Sequence, residues 1–118
     1  MRQLTGVVSD RGSKYAVSGG PAGDRAAVDG YLATLKRDRK FARATHHSWA
    51  LILSDGTPHR GDDGETGAGA VILRMLEREG LCDHVIIVTR WYGGKHLGGD
   101  RFRHIQDCVR AYLRDLAP

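Results

Sequence analysis

Two segments of this 118-residue chain carry residue types at spacings that could do chemistry. The first, GDDGETGAGA from Gly61 to Ala70, places Asp62, Asp63 and Glu65 within four positions, ahead of a run of small residues. Paired carboxylates in differing environments can divide acid and base roles or hold Mg²⁺. Acidic groups at the start of a helix can equally cap its free amides and be stabilised by its macrodipole, for about 0.3–1 kcal/mol each. Both readings stand on the residues alone. A phosphate cradle does not suit the segment, because three carboxylates oppose an anion and no GK[ST] ending follows. The second segment, HVIIVTRWYGGKHLGGDRFRH from His84 to His104, is a strand-like run that empties into a glycine-rich, aromatic and basic loop and then opens a helix. Arg90, Trp91, Tyr92, Lys95 and Arg103, set around Gly93 and Gly94, combine flat stacking surfaces with cations. That combination suits nucleic-acid bases or an aromatic-and-arginine protein hot spot. The structural alternative is that Trp91 and Tyr92 fold back over the core while the glycines supply the positive φ of a turn.

The elements that must position these residues follow from periodicity. Leu4–Ser9 and Ser13–Ser18 alternate around Asp10-Arg11-Gly12, as a hairpin does. Val28, Tyr31, Leu32 and Leu35 recur at helical spacing, which predicts a helix from about Asp24 to Asp38 with Asp24 as its N-cap. His47–Ser54 is apolar on both alternating faces, the pattern of a central strand covered on each side, and Asp55-Gly56 turns it. Gly67–Glu79 reads as a helix stopped by Gly80. His84–Thr89 is a second central strand. A last helix from about Asp100 to Leu116 buries Phe102, Ile105, Val109, Tyr112 and Leu116, with Arg103, Asp107, Arg110 and Arg114 on a separate stripe. The order ββαβαβα indicates an α+β domain with helices laid on a sheet. The acidic segment begins one helix and the basic loop follows the next central strand, so the two are expected to share a cleft, with Asp63 or Glu65 reaching Arg90 or Lys95.

Composition narrows the classes. At 41% hydrophobic residues the chain can build one core, and its apolar runs fall far short of the roughly 20 residues a membrane helix needs. The N-terminus lacks a signal-peptide pattern, which leads us to expect a cytoplasmic protein. Cys82 and Cys108 are the only cysteines and show no CxxC spacing, so neither a disulfide framework nor a cysteine zinc site is indicated; both thiols are expected to be reduced and at least partly buried. The six histidines show no HExxH and no helical pair, and no cofactor or metal is expected. Because neighbouring strand residues face opposite ways, His46 and His47 cannot both enter one site. No serine sits in a GxSxG elbow. The net charge of +4 is unevenly spread: Lys36–Arg43 holds five basic residues against one acidic, Arg90–Arg114 six against two, and Asp55–Glu65 one against four. Such asymmetry fits an acidic partner, or plain solvated helix faces.

DDGE, RWYGG, LG and DRFRHI, in that order and near that spacing, with ATHHSWAL upstream and Ser13–Ala16 as an early strand, resemble the IMPACT/YigZ family across nearly the whole chain. RWYGGKHLGGDRFRHI is closer to the eukaryotic IMPACT branch than to the bacterial YigZ form. The resemblance implies a sheet with helices mainly on one face, like domain 2 of ribosomal protein S5. It also implies one Impact N-terminal-type domain over residues 1–118, without the RWD domain of IMPACT or the ferredoxin-like domain of YigZ. IMPACT-like proteins regulate translation in the starvation stress response by competing for the activator of an initiation-factor kinase, a role that the shorter chain does not directly inherit. The expected function is therefore a translation-associated binding domain, more a binder than an enzyme, whose partners are the translation machinery, its regulators or RNA. Its expected binding residues are Asp62, Asp63, Glu65, Arg90, Trp91, Tyr92, Gly93, Gly94, Lys95, Arg103, Arg110 and Arg114. The alternative is a phosphate-handling hydrolase that uses the DDGE carboxylates with Mg²⁺ and Lys95 or Arg90.

Overall fold

The computed structural model describes residues 1–118 throughout. Its elements are β1 (Arg2–Asp10), β2 (Ser13–Pro21), α1 (Arg25–Arg37), α2 (Arg39–Ala42), β3 (His46–Ile52), β4 (Pro58–Gly61), α3 (Ala68–Glu79), β5 (His84–Trp91) and α4 (Asp100–Leu116). The strands form one sheet in the order β1-β2-β5-β3-β4, with every neighbouring pair antiparallel. β5 lies in the middle because Val85, Ile86, Ile87 and Val88 are apolar on both faces and all four are buried.

Each face of the sheet is covered. Tyr15, Val17, Ala50, Ile86 and Val88 pack against Ile72 and Leu76 of α3 and Ile105, Val109 and Tyr112 of α4. Ala16, Trp49, Leu51, Val85 and Ile87 on the opposite face pack against Val28 and Leu35 of α1 and Phe41 of α2. The α+β class is as the sequence implies. The helices divide between the faces instead of gathering on one, as the two-sided apolar strands require.

Local chemistry explains the boundaries. The β1–β2 turn pairs Asp10 with Ser13 across Arg11 and Gly12, which have φ of 45° and 84°, the geometry of a tight hairpin that follows strand twist. Asp24 caps α1 by accepting from the Ala27 amide at 2.8 Å. Asp38 ends α1 in extended backbone and caps α2 through the Lys40 amide at 2.9 Å, so one aspartate breaks the periodic run into two helices. The short β4, unmarked in the sequence because it begins with proline, is an edge strand, where a missing N–H costs least. Phe102 and Leu116 are only partly buried at the margin of the core.

The cysteines also divide. Cys108 is buried against α3 and the sheet, and burial pushes its thiol up to about 12, whereas Cys82 is exposed, contrary to the burial expected for both. In native protein at neutral pH, iodoacetamide should label Cys82 and reach Cys108 only after denaturation, as read by peptide mass spectrometry. Equal labelling of the two in the native state would contradict this packing.

Candidate functional site

The acidic segment and the basic loop meet at the end of β5. Glu65 and Arg90 are 3% and 5% exposed, and the Arg90 Nη1 donates to both Glu65 oxygens, at 2.8 and 3.1 Å. The other terminal nitrogen of Arg90 donates to Ser13 Oγ at 3.3 Å, and Ser13 Oγ also accepts the Gly93 amide at 3.2 Å. The ion pair thus ties the β1–β2 turn, the loop before α3 and the loop after β5 into one knot. The backbones themselves touch there: a Cβ on Gly93 would lie 2.0 Å from the Gly12 carbonyl carbon, so position 93 admits only glycine without displacement. The rings of Tyr15 and Tyr92 each lie 5.7 Å from the Arg90 guanidinium carbon, within cation–π range.

His46 completes the knot. Its Nδ1 lies 2.8 Å from the Asp63 carbonyl, which can only accept, so this nitrogen carries hydrogen. Its Nε2 lies 3.0 Å from Glu65 Oε2, and a hydrogen bond there needs a second proton, held by the ring or by the carboxyl group. His47 points to the other face, as strand alternation demands. Its Nε2 donates to the Phe41 carbonyl at 3.0 Å, which leaves Nδ1 to accept from Thr89 Oγ1 at 2.9 Å. Burial holds the His47 ring below the ordinary imidazole value.

The three carboxylates do separate work. Asp62 accepts from the amides of Gly67 and Gly69, at 3.0 and 2.8 Å, and so caps α3 from six residues before its first residue. Asp63, at a φ of 50°, accepts the His47 amide at 2.7 Å and extends the β3 ladder beyond β4 with its side chain. Only Glu65 turns into the cleft. The helix-capping reading of this segment therefore holds for Asp62. No group of three or more His, Cys, Asp or Glu side chains is disposed to hold a metal ion.

Around the buried pair opens a cleft of about 470 Å³, lined by Thr45, His46, Tyr92, His96, Leu97 and Arg101, together with Gly64, Gly98 and the pair itself. Tyr92 is 42% exposed, and its ring lies 5.8 Å from that of His96. Lys95 is exposed in the same loop and forms no ion pair. The structure thus brings Glu65, Arg90, Tyr92, Gly93, Gly94 and Lys95 to one edge. It does not bring the remaining expected residues there. Trp91 faces the α2 side, where its indole N–H donates to the Lys40 carbonyl at 2.9 Å and its ring meets Phe41 edge-on. Arg103 pairs with Asp100 and Arg110 with Asp107 along α4. Arg114 lines a separate hollow with Leu81, Leu113 and Leu116, about 20 Å along the helix from Arg101 at 1.5 Å per residue. His46, His96 and Arg101 were absent from the expected site. Alternation in ATHHS could have marked one histidine, and Arg101 stands in the first turn after the loop.

The fold and the cleft define a small α+β domain in which an acidic loop and a basic loop are locked by a buried ion pair. The family model of the Impact N-terminal domain matches residues 11–113, and the chain belongs to that family. The protein IMPACT homolog of Caenorhabditis elegans is 37% identical over 116 residues, covering 92% of this chain and 45% of that protein. Protein IMPACT of Bos taurus is 37% identical over 115 residues, covering 90% and 35%. The chain spans less than half the length of these curated relatives. A solved structure described as that of an hypothetical protein shares the fold with a TM-score of 0.83 at 24% identity, over 95% of this chain and 57% of that one. The two-domain translational regulator Yih1 aligns with a TM-score of 0.55 at 32% identity, over 90% and 43%.

Two stability experiments follow. Glu65→Ala strands a buried guanidinium and should cost about 3–5 kcal/mol by urea unfolding, with much of the loss recovered in Glu65→Leu/Arg90→Met; a single-variant loss below about 1 kcal/mol would show that the pair does not anchor the cleft. Burial lowers both His47 and His84 from 6.5, so below that value the folded state binds fewer protons than the unfolded state. Stability should fall as pH drops from about 7.5 to about 5.5, and His47→Gln should flatten part of that slope; a flat wild-type urea midpoint would contradict the assignment.

Proposed function

We propose that this chain is a translation-associated regulatory domain that works in the cytoplasm by binding, with its cleft as the docking site for an acidic group of a partner protein. The observation that carries this reading is the closed accounting of charge in the cleft. Glu65 and Arg90 neutralise each other in the interior, so the groups left at the opening are Arg101, which keeps only a longer contact of 4.0 Å to Glu65, His96 and the Tyr92 ring, with Lys95 exposed in the same loop. An arginine, an amphipathic aromatic ring and a concave wall are the components from which protein hot spots are made. Membership in the Impact N-terminal domain family supports a place in translation, as does similarity to Yih1, which is described as a translational regulator. No helix is long and apolar enough to cross a membrane. The hydrolase alternative finds no support in the geometry, since Asp62 and Asp63 are engaged by backbone amides away from Glu65.

The immobilised chain should retain translation regulators or ribosome-associated proteins from a lysate at low salt, identified by mass spectrometry. Retention should survive nuclease treatment and be lost with Tyr92→Ala/Arg101→Ala. The same proteins captured equally by that variant, or released by nuclease, would sink the cleft as a protein-docking site.

A further inference from the structure

We infer that the α1–α2 face of the sheet, opposite the cleft, is a binding surface for the phosphodiester backbone of a nucleic acid. Lys36, Arg37, Arg39, Lys40 and Arg43 are all exposed where α1 breaks into α2, and none of them is in an ion pair. The single acid among them, Asp38, has its carboxylate engaged by the Lys40 amide. Lys14 enlarges the patch from β2, lining a hollow with Lys40 and Trp91, and the Lys40 ammonium stands 5.4 Å from the centre of the Trp91 ring. Lys36 borders a second hollow with Arg25, Arg60 and Asp63 on the other flank of α1, where Arg25 is paired with Asp29 and its guanidinium stands 4.7 Å from the Trp49 ring.

Arg103 and Arg110 of α4 differ in kind, because each is held by an aspartate of its own helix. Free cations are what release counterions from a polyanion. The choice between nucleic acid and acidic protein rests on what the face lacks. The exposed large hydrophobic residues are Met1 and Tyr92, Tyr92 lies at the cleft, and Tyr31, Leu32 and Trp91 on the α1–α2 face are only partly exposed, so that face offers little apolar centre for a desolvated protein interface. A surface that is polar and strongly positive has the character of a nucleic-acid interface. Strand alternation puts Arg90 into the cleft and Trp91 onto this face, so the two surfaces are built independently.

The test uses the purified chain and a short fluorescein-labelled single-stranded RNA of mixed sequence, followed by anisotropy across a salt series. Affinity should fall with salt, with a log–log slope of about −0.7 per phosphate contact. Lys40→Ala/Arg43→Ala should make that slope shallower by about 1.4, two contacts' worth. Arg74→Ala/Arg78→Ala, which removes two exposed cations of α3, should leave it unchanged. DNA of the same sequence binding as RNA does would place recognition in the shared phosphodiester, and preferential RNA binding would add a role for the 2′-hydroxyl. Circular dichroism checks that each variant is folded. An unchanged slope in Lys40→Ala/Arg43→Ala, or equal competition by an oligoglutamate peptide, would overturn the inference. Neither result touches the cleft, whose test is protein capture that survives nuclease.

Discussion

The ion pair between Glu65 and Arg90 is the interaction on which the shape of the functional edge depends. Removing both charges from water costs several kcal/mol per ion, and the cost is offset only where geometry and further hydrogen bonds are good. Here one arginine nitrogen spans both carboxylate oxygens, the other reaches Ser13, and His46 takes up Glu65 from the side. Every partner comes from a different part of the chain. The full network joins the β1–β2 turn, the start of β3, the loop before α3 and the end of β5 at the place where the cleft opens.

The DDGE segment looks like an acidic cluster in sequence and behaves as three separate devices in space. The left-handed backbone at Asp63 and Gly64, with φ of 50° and 83°, turns the chain sharply enough to aim successive carboxylates in different directions. Asp62 satisfies the start of α3, Asp63 continues the edge of β3, and Glu65 enters the interior. A residue pattern that suggests metal or acid–base chemistry is thereby absorbed into architecture, and what it supports is a concave, cation-rimmed opening.

The division of helices between the two faces gives the molecule two chemically distinct surfaces. On the α3–α4 side Arg103 and Arg110 are matched by nearby aspartates and Arg101 stands about 4.0 Å from Glu65, while the unpaired Arg74, Arg78 and Arg114 are spread over two helices instead of gathered at one junction. On the α1–α2 side Asp24 and Asp38 serve as helix caps, Asp29 holds Arg25, and Lys36, Arg37, Arg39, Lys40 and Arg43 remain free of ion pairs. A modest net charge of +4 conceals this segregation. The charges that matter for long-range attraction are those left over after local pairing, which composition cannot count.

Hydrophobic periodicity alone determined most of the fold. The hairpin, α1, α3, α4 and both central strands were legible, because burial imposes a period of two or 3.6 on residues such as Ile86, Ile87, Ile105 and Val109. The capping aspartate Asp24 and the stop at Gly80 were legible for the same local reason, the unsatisfied backbone groups of helix ends. The motifs also suggested that the acidic and basic segments would meet, with Glu65 and Arg90 among the residues in contact. Tertiary structure decided the rest. β4 is stabilised by pairing with β3 and not by its own residues. Arg90 and Trp91, adjacent in sequence, were sent to opposite faces by the pleat, which separated a set of residues that had looked like one aromatic and basic surface. His46, His96 and Arg101 joined the cleft through chain-distant contacts that no local pattern records. Sequence fixes what depends on near neighbours, whereas direction, pairing and residual charge depend on which distant groups each side chain finally meets.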